Sequence, residues 1–408
     1  MTVLERFLKY ISISSPSNNG EEINTQKEIS LILRDELNSL GIDVYYDEKN
    51  CYVYGYLKGN VEAPSIGFIS HMDTSLDANG DVSYDIRANY DGEDIIFENG
   101  LTLSVKRNPD LRNHVGKTLI TTKGDSLLGA DDKAGIAEIM TMLENLSLAD
   151  TPHGDVWVAF TTDEEIGKGT DYFDLDKFKA DFAYTVDGSS LGEISYENFN
   201  AVQADVTFRG VQVHPGYAKG KMINAITLTN KFLSMIPKEY PENTEKYEGY
   251  YWPYDVSGNV DEMKLIIHLR DFETKGMKMR IQKLNDIAEY LNNEYGERVT
   301  VVTKERYKNM YEKVKNHLHL VDYAKKAMEE LGITPIVEPA RGGTDGADLS
   351  FMGIPCPNLG AGGHNFHSIF EYITVEDMEK TCDILMGIVK KYSLGLENYN
   401  KRQRKIEQ

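Results

Sequence analysis

Apolar residues return every three or four positions over 21–41, where Ile29, Leu33, Leu37 and Leu40 line one side of a predicted helix and Gly41 stands at its expected C-terminal cap. Short runs with strand character follow at 44–46, 52–56 and 66–70. A polar stretch rich in Asn, Asp and Gly then occupies 75–113. Ile136, Ile139, Met140, Leu143 and Leu146 mark the apolar face of a second helix, and apolar strands are predicted at 156–160 and 182–186. Strand and helix alternating in this way predict an α/β fold with a doubly wound, mostly parallel sheet.

The pattern changes near residue 201. Strand character at 201–208, a helix at 222–235, a weak strand within 250–260, a strand at 264–269, a helix at 276–293 and a strand at 299–303 give the order βαββαβ. After residue 317 the α/β pattern resumes, ending in a helix that Thr374 and Asp377 would cap and whose apolar face carries Cys382, Leu385 and Val389. The expected organisation is a discontinuous catalytic domain, 1–200 and 317–408, with a smaller α+β lid domain inserted at 201–316.

Composition narrows the function classes. The 408 residues carry 44 Lys plus Arg against 65 Asp plus Glu, a formal charge of −21, which disfavours binding to nucleic-acid phosphates or anionic lipid. No apolar run approaches the roughly 18 residues of a membrane span. Glu5, Arg6 and Lys9 interrupt the first stretch, where an export signal needs its apolar region. Cys51, Cys356 and Cys382 form no C-x-x-C pair, so a disulfide frame and a thiolate zinc site are both excluded and a reduced, cytoplasmic compartment is expected. Any metal must be held by His and carboxylates.

Three predicted strands end in such residues. The run at 66–70 leads into His71-Met72-Asp73, the run at 156–160 into Asp163-Glu164-Glu165, and the run at 182–186 into Asp187. Ligands of open α/β sheets bind beyond the carboxyl ends of the strands. Asp131 precedes a helix, whose N-terminal N–H groups favour negative charge. Asp73 is placed to orient the His71 imidazole, and the acid pairs Asp131-Asp132 and Glu164-Glu165 place surplus charge where a cation would offset it. One Glu of an adjacent pair can bind metal while the other addresses substrate. Among the remaining histidines, His114 and His153 read as solvated loop residues, and His317 and His319 as helix residues on different sides. His364 and His367 flank Asn365-Phe366 after a Gly-rich stretch. Gly188-Ser189-Ser190-Leu191-Gly192 matches a nucleophile elbow but leads into strand-like sequence instead of a helix, and 77–81 begins like a calcium loop but lacks its turn Gly and bidentate Glu.

His71-Met72-Asp73-Thr74, Leu128-Gly129-Ala130-Asp131-Asp132-Lys133-Ala134-Gly135, Thr161-Thr162-Asp163-Glu164-Glu165-Ile166-Gly167, His214-Pro215-Gly216 and Arg341-Gly342-Gly343-Thr344-Asp345-Gly346 together resemble the dinuclear zinc peptidase family. That family includes glutamate carboxypeptidases, succinyl-diaminopimelate desuccinylase and tripeptide aminopeptidases, and the likeness to the last runs in order through nearly the whole chain. The resemblance implies two Zn2+ ions, with His71 and Asp187 on the first, Glu165 and His367 on the second and Asp131 bridging both. It further implies that Asp73 orients His71, that Glu164 is the general base, and that the Asp131–Asp132 peptide is cis. Mn2+ or Co2+ are chemically able to substitute in such a site. His364, where Tyr is common in the family, and Ser189-Ser190, where Gly-rich sequence is common, depart from the pattern.

The implied activity is a cytoplasmic aminopeptidase acting on tripeptides, with small peptides as its partners and neither nucleic acid nor membrane among them. His214 would donate to the developing oxyanion, and Arg270 and Arg341 either clamp the peptide's terminal carboxylate or form ordinary ion pairs. An alternative within the same family is an N-acyl amino acid amidohydrolase. A noncatalytic peptide-binding protein would have no need of Glu164. Monomer and homodimer are both open.

Overall fold

The computed structural model describes all residues except 19–24, 78–81, 150 and 395–408. It divides into two compact units: Met1–Tyr196 with Glu312–Glu338 and Thr344–Gln408, and a smaller one of Glu197–Tyr311 with Pro339–Gly343. Against the expected bounds of 201–316, the smaller unit also takes in 197–200 and Pro339–Gly343 and leaves 312–316 to the larger one; Ala340 N donates to Glu197 O at 2.8 Å and ties the 339–343 turn to the unit's first residues.

The larger unit is built on an eight-stranded mixed sheet. Its centre runs Val156–Thr161, Ile66–His71, Phe182–Gly188 and Asn358–Gly360, all parallel, and antiparallel pairs extend it on both sides. Every residue of Ile66–His71 is buried, as a parallel strand covered on both faces requires. Helix Ala130–Leu148 crosses this strand, flanked by Val3–Ile11 and Val375–Ser393. Gly135 allows it to lie directly on the sheet, since a Cβ there would stand 2.0 Å from the Val186 carbonyl oxygen.

The predicted first helix is Lys27–Ser39, followed by Leu40 and by Gly41 at φ +74. Glu21, where its pattern begins, lies outside the described residues, as do 78–81 of the calcium-like loop.

The polar stretch after residue 75 holds order that its composition conceals. Tyr84–Arg87, Leu119–Thr122, Tyr372–Thr374 and Gly363–His364 form a second four-stranded sheet. It has its own core of Tyr90, Ile95, Phe97, Leu103, Leu111, Leu119 and Tyr372. The two histidines read as solvated are both buried, at 4% exposure each, His114 beside Tyr372 of this core and His153 outside it, paired with the backbone and side chain of Asn60. His114 Nδ1 lies 3.2 Å from Asp377 Oδ2, and His153 Nδ1 lies 2.8 Å from the Gly154 carbonyl. His317 and His319 also differ from expectation. The helix begins only at His319, and both rings approach Phe182, at 5.4 and 4.5 Å between centroids.

The smaller unit is an antiparallel sheet in the order Tyr250–Gly258, Glu262–Asp271, Asn200–Arg209, Val299–Tyr307, backed by helices Ala225–Met235 and Thr274–Tyr295. Along the chain this is βαββαβ. The weak strand is the edge strand, where Pro253 and a register shift interrupt pairing. Among the described residues, no helix is long and apolar enough to cross a membrane.

Gly135→Ala is expected to destabilise the protein by about 3 kcal/mol, because the new methyl must push a helix off a strand backbone. Thermal unfolding checks this against Gly342→Ala, where nothing lies within 4 Å of the added atom. Equal melting temperatures for the two variants would refute the close contact.

Candidate metal centre and active site

Strands Ile66–His71, Val156–Thr161 and Phe182–Gly188 lie side by side and end together, so their carboxyl ends deliver His71, the 163–165 acids and Asp187 to one place. Asp131 enters from the helix side. Its Oδ1 is 3.0 Å from His71 Nε2 and its Oδ2 is 3.3 Å from His367 Nε2. His71 Nε2 is also 3.3 Å from Asp187 Oδ1, and His367 Nε2 is 2.8 Å from Glu165 Oε2. All five residues named as candidate ligands meet here, and Glu164 joins them: one donor atom each from His71, Asp131 and Glu165, and from His71, Glu164 and Asp187, lie within 4.8 Å of one another.

The local backbone explains the convergence. Gly129 adopts φ +79 and the Asp131–Asp132 peptide is cis, so Asp131 is turned out ahead of the regular helix. The turn Glu164–Ile166 is bracketed by Asp163 at φ +61 and Gly167 at φ +69. His367 itself sits at φ +59, a region that costs an L side chain roughly 1–2 kcal/mol.

The Asp73 carboxylate meets more than His71. Its Oδ1 accepts from Glu164 N at 3.0 Å, and its Oδ2 from Glu165 N at 3.2 Å and Ser17 Oγ at 2.7 Å. His71 Nδ1 lies closer to the Asp73 backbone carbonyl, 3.0 Å, than to the carboxylate, 3.4 Å. The carboxylate therefore fastens the turn that carries both glutamates.

Three buried charged residues at the site were not singled out from sequence. Asp345 accepts from Thr161 Oγ1 at 2.8 Å. Lys133 donates through Nζ to the Ile13 carbonyl at 2.6 Å. Glu371, four residues after His367, accepts from the backbone of 128–131. Asp345 and Lys133 lie inside the Gly-rich motifs at 341–346 and 128–135, whereas no local pattern marks Glu371.

The electrostatics of this cluster favour a cation. Burial pushes Glu164 well above the usual carboxylate range, and Asp187 and Asp345 each up to about 7. Burial pushes Asp131 upward too, but hydrogen bonds from His367 and His71 outweigh it and hold the group well below its ordinary value. His367, bonded to Asp131 and Glu165, is raised to about 11. Among the described residues, Asp131, Glu164, Glu165, Asp187 and Asp345 lie about two imidazoles, His71 and His367, and Glu165 Oε1 is buried without a hydrogen-bond partner. Carboxylate and imidazole donors with an unused buried oxygen and no thiolate fit divalent cations.

His364 stands apart from the donor set. It is buried, stacked on Tyr372 at 4.8 Å, and desolvation lowers its pKa to about 4. Ser190 leads into strand Glu193–Ser195, so no nucleophile elbow exists there.

His214, Arg270 and Arg341 belong to the smaller unit. His214 is exposed, and its Nδ1 accepts from Gly216 N at 3.2 Å. Arg270 lies over the Tyr307 ring at 5.2 Å and donates to the Leu269 carbonyl. Arg341 donates to the carbonyls of Lys246 and Glu248 at 2.6 and 3.1 Å and to Thr244 Oγ1 at 3.1 Å, stacking over Phe199. Its guanidinium thus braces the 244–248 loop.

Imidazoles and carboxylates gathered at the carboxyl edge of a parallel α/β sheet define a metal-dependent enzyme. Residues 126–391 match the model of peptidase family M20/M25/M40, and the chain belongs to that family and is a peptidase. Its relatives within the family include the peptidase T of Clostridium perfringens, 49% identical over 401 residues and covering 96% of this chain and 99% of that protein. The peptidase T of Halothermothrix orenii is 47% identical over 403 residues with the same coverage. Among solved structures, the aminopeptidase PepT from Bacillus cereus and a tripeptidase from Staphylococcus aureus each align with TM-score 0.77 at 23% identity, over 96% of this chain and 98% of theirs. A dinuclear metal-binding M20 peptidase from Bacillus subtilis aligns with TM-score 0.67 at 14% identity, over 96% of this chain and 97% of its own.

Ser17→Ala removes the hydroxyl that steadies Asp73. Peptidase turnover is expected to fall about tenfold with little change in melting temperature, as for other groups that orient a metal site from behind. Steady-state kinetics check it, and unaltered turnover would show that the two backbone N–H groups alone suffice to fix Asp73.

Proposed function

We propose that this chain is a cytoplasmic aminopeptidase that uses two zinc ions to release the N-terminal residue of tripeptides. The observation that carries the reading is Asp131, with one carboxylate oxygen against each of two imidazoles that have separate carboxylate neighbours, Asp187 and Glu165. His71 and Asp187 would hold one ion, Glu165 and His367 the other, and Asp131 both. Cations so held polarise a scissile carbonyl and lower the pKa of a water toward neutrality.

The protein's own groups do the remaining work. Glu164 takes the proton of the attacking water and passes it to the leaving amine, and the desolvation that disfavours its charged form strengthens it as a base. Because His214 Nδ1 accepts from Gly216 N, its Nε2 carries the proton and is free to donate to the developing oxyanion. Arg270 forms no ion pair among the described residues, which suits it to the terminal carboxylate of the peptide. Arg341 acts behind it, holding the 244–248 loop. An anchor for the terminal carboxylate would restrict the length of peptide accepted. Relatives named peptidase T and tripeptidase support this choice of substrate.

Chelation is expected to abolish hydrolysis of a free-amine tripeptide and added Zn2+ to restore it. N-acetylation of the same peptide should slow cleavage; faster cleavage of the blocked form would favour the amidohydrolase instead. Glu164→Gln should keep both metals and lose about 1,000-fold in kcat, whereas Asp131→Ala should lose metal, read by elemental analysis. Wild-type turnover in Glu164→Gln removes it as the base. Arg270→Ala should raise KM for a tripeptide about tenfold to a hundredfold while leaving its C-terminal amide unaffected. An equal effect on acid and amide would end the clamp.

A further inference from the structure

Glu371 is 1% exposed and lies four residues beyond His367. It is not among the proposed ligands and does not face the reacting atoms. Its Oε2 accepts from Leu128 N at 2.7 Å and Gly129 N at 3.0 Å, and its Oε1 accepts from Asp131 N at 3.1 Å. Three N–H groups converge on one carboxylate because Gly129, at φ +79, reverses the chain between them. Successive amides in such a turn form an anion-binding concavity, here filled by a side chain of the same protein. Burial makes each of these three N–H bonds necessary, since an unpaired polar group there would be costly.

The other end of Glu371 is equally fixed. Its backbone N–H donates to the Ser368 carbonyl at 3.1 Å, closing a turn directly after His367, and its carbonyl accepts from Thr122 N at 3.4 Å. Thr122 Oγ1 donates to the Ile369 carbonyl within the same turn. Glu371 therefore joins the segment that presents Asp131 to the segment that presents His367, and these two side chains lie 3.3 Å apart.

We propose that Glu371 is a positioning residue of the metal centre: by gathering the amides of Leu128, Gly129 and Asp131 it fixes the Asp131 carboxylate between His71 and His367. This rests on the metal-holding roles assigned above. The geometry is demanding. A glutamine at 371 offers one acceptor oxygen and turns an NH2 group toward an amide donor. An aspartate is one methylene shorter and cannot reach all three amides from the same backbone.

The test is Co2+ titration of metal-free wild type, Glu371→Gln, Glu371→Asp and Glu376→Gln, with the visible spectrum of bound cobalt and the melting temperature of each metal-free protein recorded. Glu376 is a matched control: its carboxylate also captures a backbone amide, Thr118 N, at 3.0 and 2.8 Å, but that amide leads into a strand and not into a ligand. The expected result is two ions on wild type and on Glu376→Gln. Affinity should weaken about 10- to 100-fold, with an altered cobalt spectrum, in both Glu371 variants, more so in Glu371→Gln. Metal-free melting temperatures close to the control's would accompany it. Wild-type affinity and spectrum in either folded Glu371 variant overturn the proposal. So does a loss of melting temperature beyond the control with metal binding intact, or failure of both variants to fold, since each makes Glu371 a stabiliser of the turn. Wild type that takes up fewer than two ions removes the metal reading itself, and that outcome is read without any variant.

Discussion

One carboxylate lying between two imidazoles governs the architecture of the larger unit. Asp131 can meet His71 and His367 only if a helix start, a strand end and a loop arrive within hydrogen-bonding distance of a single point. Glu165 and Asp187 arrive there as well, and like charges at such separations repel strongly in a desolvated pocket. The cluster therefore cannot assemble itself. It is held by hydrophobic strands buried on both faces, by a helix that Gly135 lets rest on strand backbone, and by backbone amides directed at carboxylates.

The parts of this arrangement legible in the sequence were those with strong local signals. The strand leading to His71 is an unbroken apolar run, as a parallel central strand must be, and its polar end announces a site at the sheet's carboxyl edge. The βαββαβ order of the smaller unit was readable for a similar reason, since each element has its own period. The second sheet of the larger unit was not. Its strands are two to four residues long and drawn from segments far apart, so no window of sequence shows a period. Polarity misled at His114 and His153: the polar stretch folds an aromatic core that buries His114 beside Asp377, whereas His153 is buried apart from it, paired with Asn60 and the Gly154 carbonyl. Glu371 was illegible for a different reason. Its partners are main-chain N–H groups about 240 residues away, and amides leave no mark on a sequence.

The two arginines of the smaller unit show how far residue type falls short of role. From sequence they are equivalent candidates for a carboxylate clamp. In the fold, Arg341 is surrounded by carbonyls and an aromatic face, so its donors are already engaged in shaping a loop. Among the described residues Arg270 rests on Tyr307 and donates to one backbone carbonyl, which leaves most of its fork available. The distinction arises from acceptors contributed by segments dozens of residues away. Only the folded chain reveals it.

Backbone strain points in the same direction as the electrostatics. Asp163, Asn365 and His367 all take left-handed conformations that glycine would adopt without cost. Glycine cannot serve at these positions, because each side chain is engaged. Asp163 accepts from Asn18 N at 2.6 Å and Gln26 Nε2 at 2.9 Å, Asn365 donates to Asn108 Oδ1 and the Phe370 carbonyl, and His367 faces Asp131 and Glu165. Strain of this kind persists only where surrounding bonds over-determine it. Here those bonds converge on the two turns that carry Glu164, Glu165 and His367. The folded chain thus bears the cost of orienting these groups in advance, so that little reorganisation remains for the moment a substrate binds.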